Sequence, residues 1–134
     1  MTAQARAMRA EPLILIVEDE ALVALRIEDA VGDLGCRVAG PVANVADGLA
    51  VLDREAVDGA ILDVNLGGGE LVYPLAEALS GRGIPFVFVT GYGAEGLDPR
   101  FSRTPVLQKP FHPATLEKMV LQSLLGSAGP RPDL

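Results

Sequence analysis

Polar residues stand at the ends of four of the five apolar runs that this sequence predicts as strands. Glu18 and Asp19 follow the first run, Asp63 closes the third, Thr90 closes the fourth and Lys109 follows the fifth. In a parallel sheet these ends share one edge, which is where ligands bind in open α/β sheets. Three carboxylates repel one another there, and their hard oxygen atoms are ligands that Mg²⁺ requires. A lysine and a hydroxyl beside them suit a phosphoryl group, which an aspartate could attack in line.

Each of these residues also has a structural explanation when it is taken alone. Asp63 could start a turn, and Glu18 and Asp19 could favour the N-terminus of a helix electrostatically. Thr90 could be an ordinary strand end, and Lys109 a solvated charge. A single site at one sheet edge accounts for all of them together, and we therefore interpret them as one constellation.

The first half of the chain predicts the elements that would position this constellation. The continuous apolar run Leu13–Val17 is typical of a strand buried on both faces of a parallel sheet. The sequence Arg37–Gly40 predicts a short second strand that Pro41 closes. Asn44 is predicted to cap the second helix, and the strand that ends at Asp63 comes next.

The second half continues the alternation of helices and strands. A third helix is expected to carry Leu71, Leu75 and Leu79 on one face, with Pro74 in its first turn. Residues 91–99 have three glycines and no apolar period, which indicates a loop. The last helix is predicted to begin at Pro113, with His112 as its cap, Phe111 and Leu116 as a hydrophobic staple, and Leu116, Met119, Val120 and Leu124 facing inward. Five strands alternating with helices indicate a doubly wound α/β domain with a mainly parallel sheet.

Composition narrows the class of function. The net charge of −7 argues against a nucleic-acid-binding surface. The single cysteine, Cys36, excludes an internal disulfide framework and fits a reducing cytoplasm. No apolar run approaches the roughly 20 residues of a membrane helix. We expect residues 1–11 and 127–134 to be flexible tails around a folded domain at 12–126.

The ordered set of motifs resembles the receiver domain of bacterial two-component response regulators over residues 12–126. The matching residues are the acidic pair Glu18-Asp19, Asp63 within Leu-Asp-Val-Asn-Leu, Thr90, and Lys109-Pro110-Phe111. The resemblance implies a flavodoxin-like fold with strand order 2-1-3-4-5 and phosphorylation of Asp63 by a sensor histidine kinase or phosphotransfer protein. It implies catalytic roles for Thr90 and Lys109, and a cis bond between Lys109 and Pro110.

The resemblance also implies a magnesium site. Asp19, Asp63 and the backbone carbonyl of Asn65 would hold Mg²⁺, and Glu18 would act partly through water.

The sequence departs from the commonest receiver pattern at the residues that usually switch. Val106 stands where an aromatic residue is usual, and Leu66 and three glycines replace the common Met-Pro after the acceptor. The stretch Phe88-Val89-Thr90-Gly91-Tyr92-Gly93 resembles the FAT GUY subgroup, whose fourth helix is short or missing. This resemblance implies that Thr90, Gly91 and Tyr92 form the switch.

We therefore expect a stand-alone, cytoplasmic receiver that is not an enzyme beyond its own phosphotransfer and dephosphorylation. It would signal through contacts with a downstream protein or act as a phosphate sink. The alternative is a receiver-like adaptor that binds a kinase or another partner without phosphorylation, and the complete acidic and basic set argues against it. A flavodoxin-like cofactor protein is disfavoured because the acidic Glu18-Asp19-Glu20 loop would repel a flavin phosphate.

Overall fold

A computed structural model of the chain describes residues 11–92 and 96–126. Residues 1–10 of the predicted N-terminal tail, the predicted tail 127–134, and residues 93–95 of the predicted loop lie outside the described residues. The strands are β1 Leu13–Val17, β2 Arg37–Val42, β3 Gly59–Asp63, β4 Phe86–Thr90 and β5 Val106–Gln108. The α-helices are α1 Ala21–Asp33, α2 Val45–Arg54, α3 Tyr73–Gly81 and α4 Pro113–Val120, which continues as a π-helical turn, Leu121–Leu125.

The strands form one parallel sheet in the order β2-β1-β3-β4-β5. The predicted flavodoxin-like fold is therefore confirmed. Between β4 and β5 the described residues include the short 3-10 turn Pro99–Phe101 and no α-helix, as expected for a short or missing fourth helix. None of the helices in the described ranges combines the length and apolar character that a membrane span needs.

The core lies in two layers because side chains alternate between the faces of each strand. In β1, Leu13, Leu15 and Val17 face the layer under α2 and α3, whereas Ile14 and Ile16 face the layer under α1 and α4. All five are at most 4% exposed. Burial on both faces explains why the run is continuously apolar instead of alternating.

Local signals at the helix ends are confirmed. The Asn44 side chain accepts a hydrogen bond from the Asp47 amide at 2.8 Å and so caps α2. The His112 ring nitrogen Nδ1 accepts one from the Ala114 amide at 3.2 Å and caps α4. Pro74 lies in the first turn of α3, where its missing N–H costs no helical hydrogen bond.

Two expectations about element bounds are wrong. Leu71 is not part of α3, because it pairs with Asn65 in an isolated bridge before the helix begins, and its side chain is 46% exposed. Buried Val72 takes the place that Leu71 was expected to fill. Pro41 does not end β2, which continues to Val42, because an edge strand tolerates a residue without an N–H.

Candidate functional site

The predicted site residues meet at the carboxyl edge of the sheet. Asp63 and Thr90 are the last residues of β3 and β4, and Glu18 and Lys109 directly follow β1 and β5. Since β1, β3, β4 and β5 are consecutive neighbours, the order of the strands brings these residues together from distant parts of the chain. Glu18, Asp63 and Thr90 are buried polar residues, at 3%, 4% and 2% exposure.

Lys109 is the centre of the cluster. Its ammonium nitrogen Nζ donates to Asp63 Oδ2, Glu18 Oε2 and Glu20 Oε1, each at 3.2 Å. Glu18 Oε1 also lies 3.0 Å from Nζ but makes no hydrogen bond and is fully buried. One cation therefore faces several carboxylates, which leaves the site short of positive charge.

Burial sets the electrostatics of the two inner carboxyl groups. It raises the pKa of Glu18 from 4.5 to about 7, although Lys109 and the Glu20 amide hydrogen-bond the charged form. Burial also raises the pKa of Asp63, against the stabilising contacts of Glu18 and Lys109. For Lys109 burial acts to lower the pKa, but Glu18 and Asp63 outweigh it and raise the pKa. The cluster of protein groups therefore holds its carboxylates at an energetic cost.

The geometry fits a hard divalent cation. Ligand oxygens of Glu18, Asp19 and Asp63 all lie within 4.8 Å of one another. Asp19 is exposed while the other two are buried, so the cluster is open to water on one side. Carboxylate oxygens at this spacing are the donor set that Mg²⁺ prefers, and the unsatisfied Glu18 Oε1 adds an oxygen without a hydrogen-bond donor.

The loop after β3 is shaped around the same cluster. The Asn65 amide donates to Asp63 Oδ1 at 3.3 Å, and the Gly67 amide donates to Asn65 Oδ1 at 3.1 Å. Gly67 has a φ of +84°, and a Cβ added to it would lie 2.9 Å from Asp19 Oδ2. A glycine at this position therefore lets the backbone pass close to Asp19.

Thr90 and Tyr92 line the other side of the site. The Thr90 hydroxyl accepts a hydrogen bond from the Tyr92 amide at 3.2 Å, and the Thr90 backbone carbonyl accepts one from the Lys109 amide at 2.8 Å. The Tyr92 side chain is 73% exposed. An open cavity of about 400 Å³ is lined by residues that include Asp19, Asp63, Thr90, Tyr92 and Lys109.

A second cavity, of about 720 Å³, adjoins the site beyond Thr90 and Tyr92. Its far wall includes Tyr73 of α3, whose hydroxyl accepts a hydrogen bond from the Asp98 amide at 3.0 Å. The Tyr73 ring stacks on Phe101 with 5.5 Å between centroids, and Arg100 forms an ion pair with Glu77. The segment around the 3-10 turn is thus fastened to α3.

Sequence reasoning placed all its site residues at this edge but missed the contact of Glu20 with Lys109. Glu20 belongs to the acidic run Glu18-Asp19-Glu20, and that run was the available signal. The roles assigned to the individual residues in phosphorylation, metal binding and switching stay predictions. The cis bond between Lys109 and Pro110 is present.

No family model matches the chain. The chain is 49% identical to SdrG from Sphingomonas melonis Fr1. The solution structure of SdrG superposes on the chain with a TM-score of 0.76, and the match covers 87% of this chain and 98% of SdrG. The solution structure of the Erythrobacter litoralis PhyR response regulator REC domain is 26% identical, with a TM-score of 0.75 and coverage of 92% and 97%.

The phyllosphere-induced regulator PhyR of Methylorubrum extorquens is 30% identical over 118 residues, which are 83% of this chain and 43% of PhyR. The chain therefore spans less than half the length of this curated relative.

Proposed function

This chain belongs to the receiver domains of response regulators, and we propose that it accepts a phosphoryl group on Asp63 in a Mg²⁺-dependent reaction. The donor would be a sensor histidine kinase or a phosphotransfer protein. The observation that carries the proposal is the buried Asp63 carboxylate, 3.2 Å from the Lys109 ammonium and next to the acidic cluster. A carboxylate held in this way is a nucleophile with a cation already beside it.

The proposed reaction is a single phosphoryl transfer to Asp63. A carboxylate oxygen of Asp63 attacks phosphorus, a P–O bond forms, and the bond from phosphorus to the donor's leaving group breaks. Lys109 offsets the charge on the transferred oxygens, and the Thr90 hydroxyl can turn to donate to one of them. Receiver domains are signalling proteins, so this self-modification is the only catalysis that the proposal includes.

Mg²⁺ is part of the proposal because the donor set fits it. Asp19, Asp63 and the Asn65 carbonyl would hold the ion, with Glu18 acting partly through water. Bound there, the ion would neutralise oxygens of the transferred phosphoryl group. The protein's own contribution is to keep the carboxylates together, which Lys109 and the Gly67 turn do.

We further propose that Thr90, Gly91 and Tyr92 form the switch, as in the FAT GUY subgroup. Val106 is half-buried against the apolar layer and has no ring to move. Tyr92 is exposed beside the larger cavity, and its amide already bonds the Thr90 hydroxyl. A reorientation of Thr90 toward a phosphoryl group would break that bond and free Tyr92 to move.

The receiver unit proposed here covers residues 12–126 and signals through protein–protein contacts or drains phosphate. Support comes from SdrG, which the chain covers almost completely. The downstream partner would be a protein that binds the surface around Tyr92.

The test uses acetyl phosphate or phosphoramidate with Mg²⁺ and intact-mass measurement. Wild type should gain the mass of one phosphoryl group, Asp63→Asn should gain none, and the exposed control Asp29→Asn should behave as wild type. A phosphate on Asp63→Asn would show that the acceptor is another residue. If wild type gains none from small donors or from sensor kinases, the phosphorylation-independent adaptor takes its place.

A further inference from the structure

The ammonium of Lys109 already uses all its hydrogens. A lysine carries three donors, and here they go to Asp63, Glu18 and Glu20. A phosphoryl group on Asp63 would add acceptor oxygens beside Nζ, so Lys109 has to give up one carboxylate to bind it. The structure shows which carboxylate can leave.

We propose that Glu20 is the exchangeable partner of Lys109: it holds the ammonium at the rim of the unphosphorylated site and releases it to the phosphoryl group. This positioning role rests on the function proposed above.

Burial separates Glu20 from the other two partners. The Glu18 side chain is completely buried and also accepts the Glu20 amide hydrogen bond at 3.1 Å, so packing and a second donor hold it in place. The Asp63 side chain is 5% exposed and is fixed at the end of β3. The Glu20 side chain is 61% exposed, and its Oε1 accepts a hydrogen bond from the Lys109 ammonium at 3.2 Å. Rotation into solvent costs Glu20 one ion pair at the rim of the site, exposed on the glutamate side, and ion pairs near the surface are weak.

The exchange should weaken the binding of a phosphoryl mimic by a measurable amount. Phosphoryl binding would have to break the contact between Glu20 and Lys109, and removing the Glu20 charge weakens the contact that has to break. Exposed ion pairs contribute little, so the expected gain is about three- to fivefold in the dissociation constant of a phosphoryl mimic. Salt weakens the pair, so the gain should shrink at high ionic strength.

The first measurement is calorimetric titration of the protein with beryllofluoride in saturating Mg²⁺, at about 20 mM and about 500 mM salt. Glu20→Gln keeps the size of the side chain and should bind beryllofluoride about three- to fivefold more tightly at low salt. Asp29→Asn removes one negative charge from the exposed side of α1 and should bind as wild type. Equal gains in Glu20→Gln and Asp29→Asn would reduce the effect to net charge and overturn the proposal.

The second measurement separates positioning from direct repulsion of the anion. In the Lys109→Ala background the Glu20→Gln change should alter the dissociation constant less than twofold, because its route of action is gone. A gain of the same size in both backgrounds would mean that Glu20 repels the anion itself, and the positioning role would be wrong.

The third measurement needs neither metal nor phosphoryl mimic. In EDTA, Glu20→Gln should shift the ¹³Cε and ¹⁵Nζ signals of Lys109, whereas Asp29→Asn should not. Unchanged Lys109 signals would overturn the inference even if phosphorylation of Asp63 is demonstrated. If wild type binds no beryllofluoride at all, the proposed function fails first and takes this inference with it.

Discussion

The burial of Glu18 predicts that the metal-free protein is stabilised by removing that charge. The raised pKa of Glu18, from 4.5 to about 7, means that the folded protein binds its proton more tightly than the unfolded chain does. The contribution of Glu18 to the free energy of unfolding is therefore present in full below about pH 4.5 and is lost as the pH rises to about 7. Glu18→Gln is neutral at every pH and should not show this loss.

The size of the effect follows from the same values. The difference between about 7 and 4.5, at roughly 1.4 kcal/mol per pH unit, gives about 3.5 kcal/mol. This is an upper value because Glu18 shares its environment with Asp63 and because glutamine gives up the ion pair with Lys109. We expect Glu18→Gln to raise the free energy of unfolding by about 1–3 kcal/mol at pH 8 and to leave it nearly unchanged at pH 4.5.

Urea unfolding in EDTA at several pH values between 4.5 and 8 measures this directly. Asp29→Asn is the control, since it removes an exposed carboxylate of α1 and should track wild type across the range. Glu18→Gln that is less stable than wild type at pH 8 would show that the ion pair with Lys109 outweighs burial. That result would refute the account of the site as a strained, cation-deficient cluster.

Further predictions concern the metal, the turn and the contact with α3. Asp19→Asn should weaken Mg²⁺ binding by at least roughly tenfold, about 1.4 kcal/mol, in a calorimetric titration, because a charged ligand is lost; equal affinity would put the ion elsewhere. Gly67→Ala and Gly68→Ala should each lose about 1–2 kcal/mol of stability at their positive φ, but only Gly67→Ala, whose Cβ meets Asp19, should also weaken Mg²⁺ binding. Tyr73→Phe should lose about 1 kcal/mol in urea unfolding, because the Asp98 amide loses its acceptor while the stacked ring stays; an unchanged midpoint would mean that water replaces the hydroxyl.

The sequence predicted features whose causes lie within a few residues of chain. The β1 run shows that both faces of that strand are buried, and the caps at Asn44 and His112 involve amides two or three residues away. The alternation of strands and helices fixes a parallel α/β sheet, because parallel strands need crossovers. The convergence of Asp63 and Lys109 followed from that topology.

Only the tertiary structure decided which residues distant in sequence come into contact and how deeply each side chain is buried. Leu71 lies outside α3 because the Asn65 bridge delays the helix, and no periodicity in the sequence shows that bridge. Glu20 contacts Lys109 although 89 positions of sequence separate them. The Glu20 side chain is exposed whereas that of Glu18 is fully buried, so only Glu20 can leave Lys109 for solvent under the proposal above. Which carboxylate is desolvated follows from the packing around each side chain, and packing is a property of the folded chain rather than of residue type.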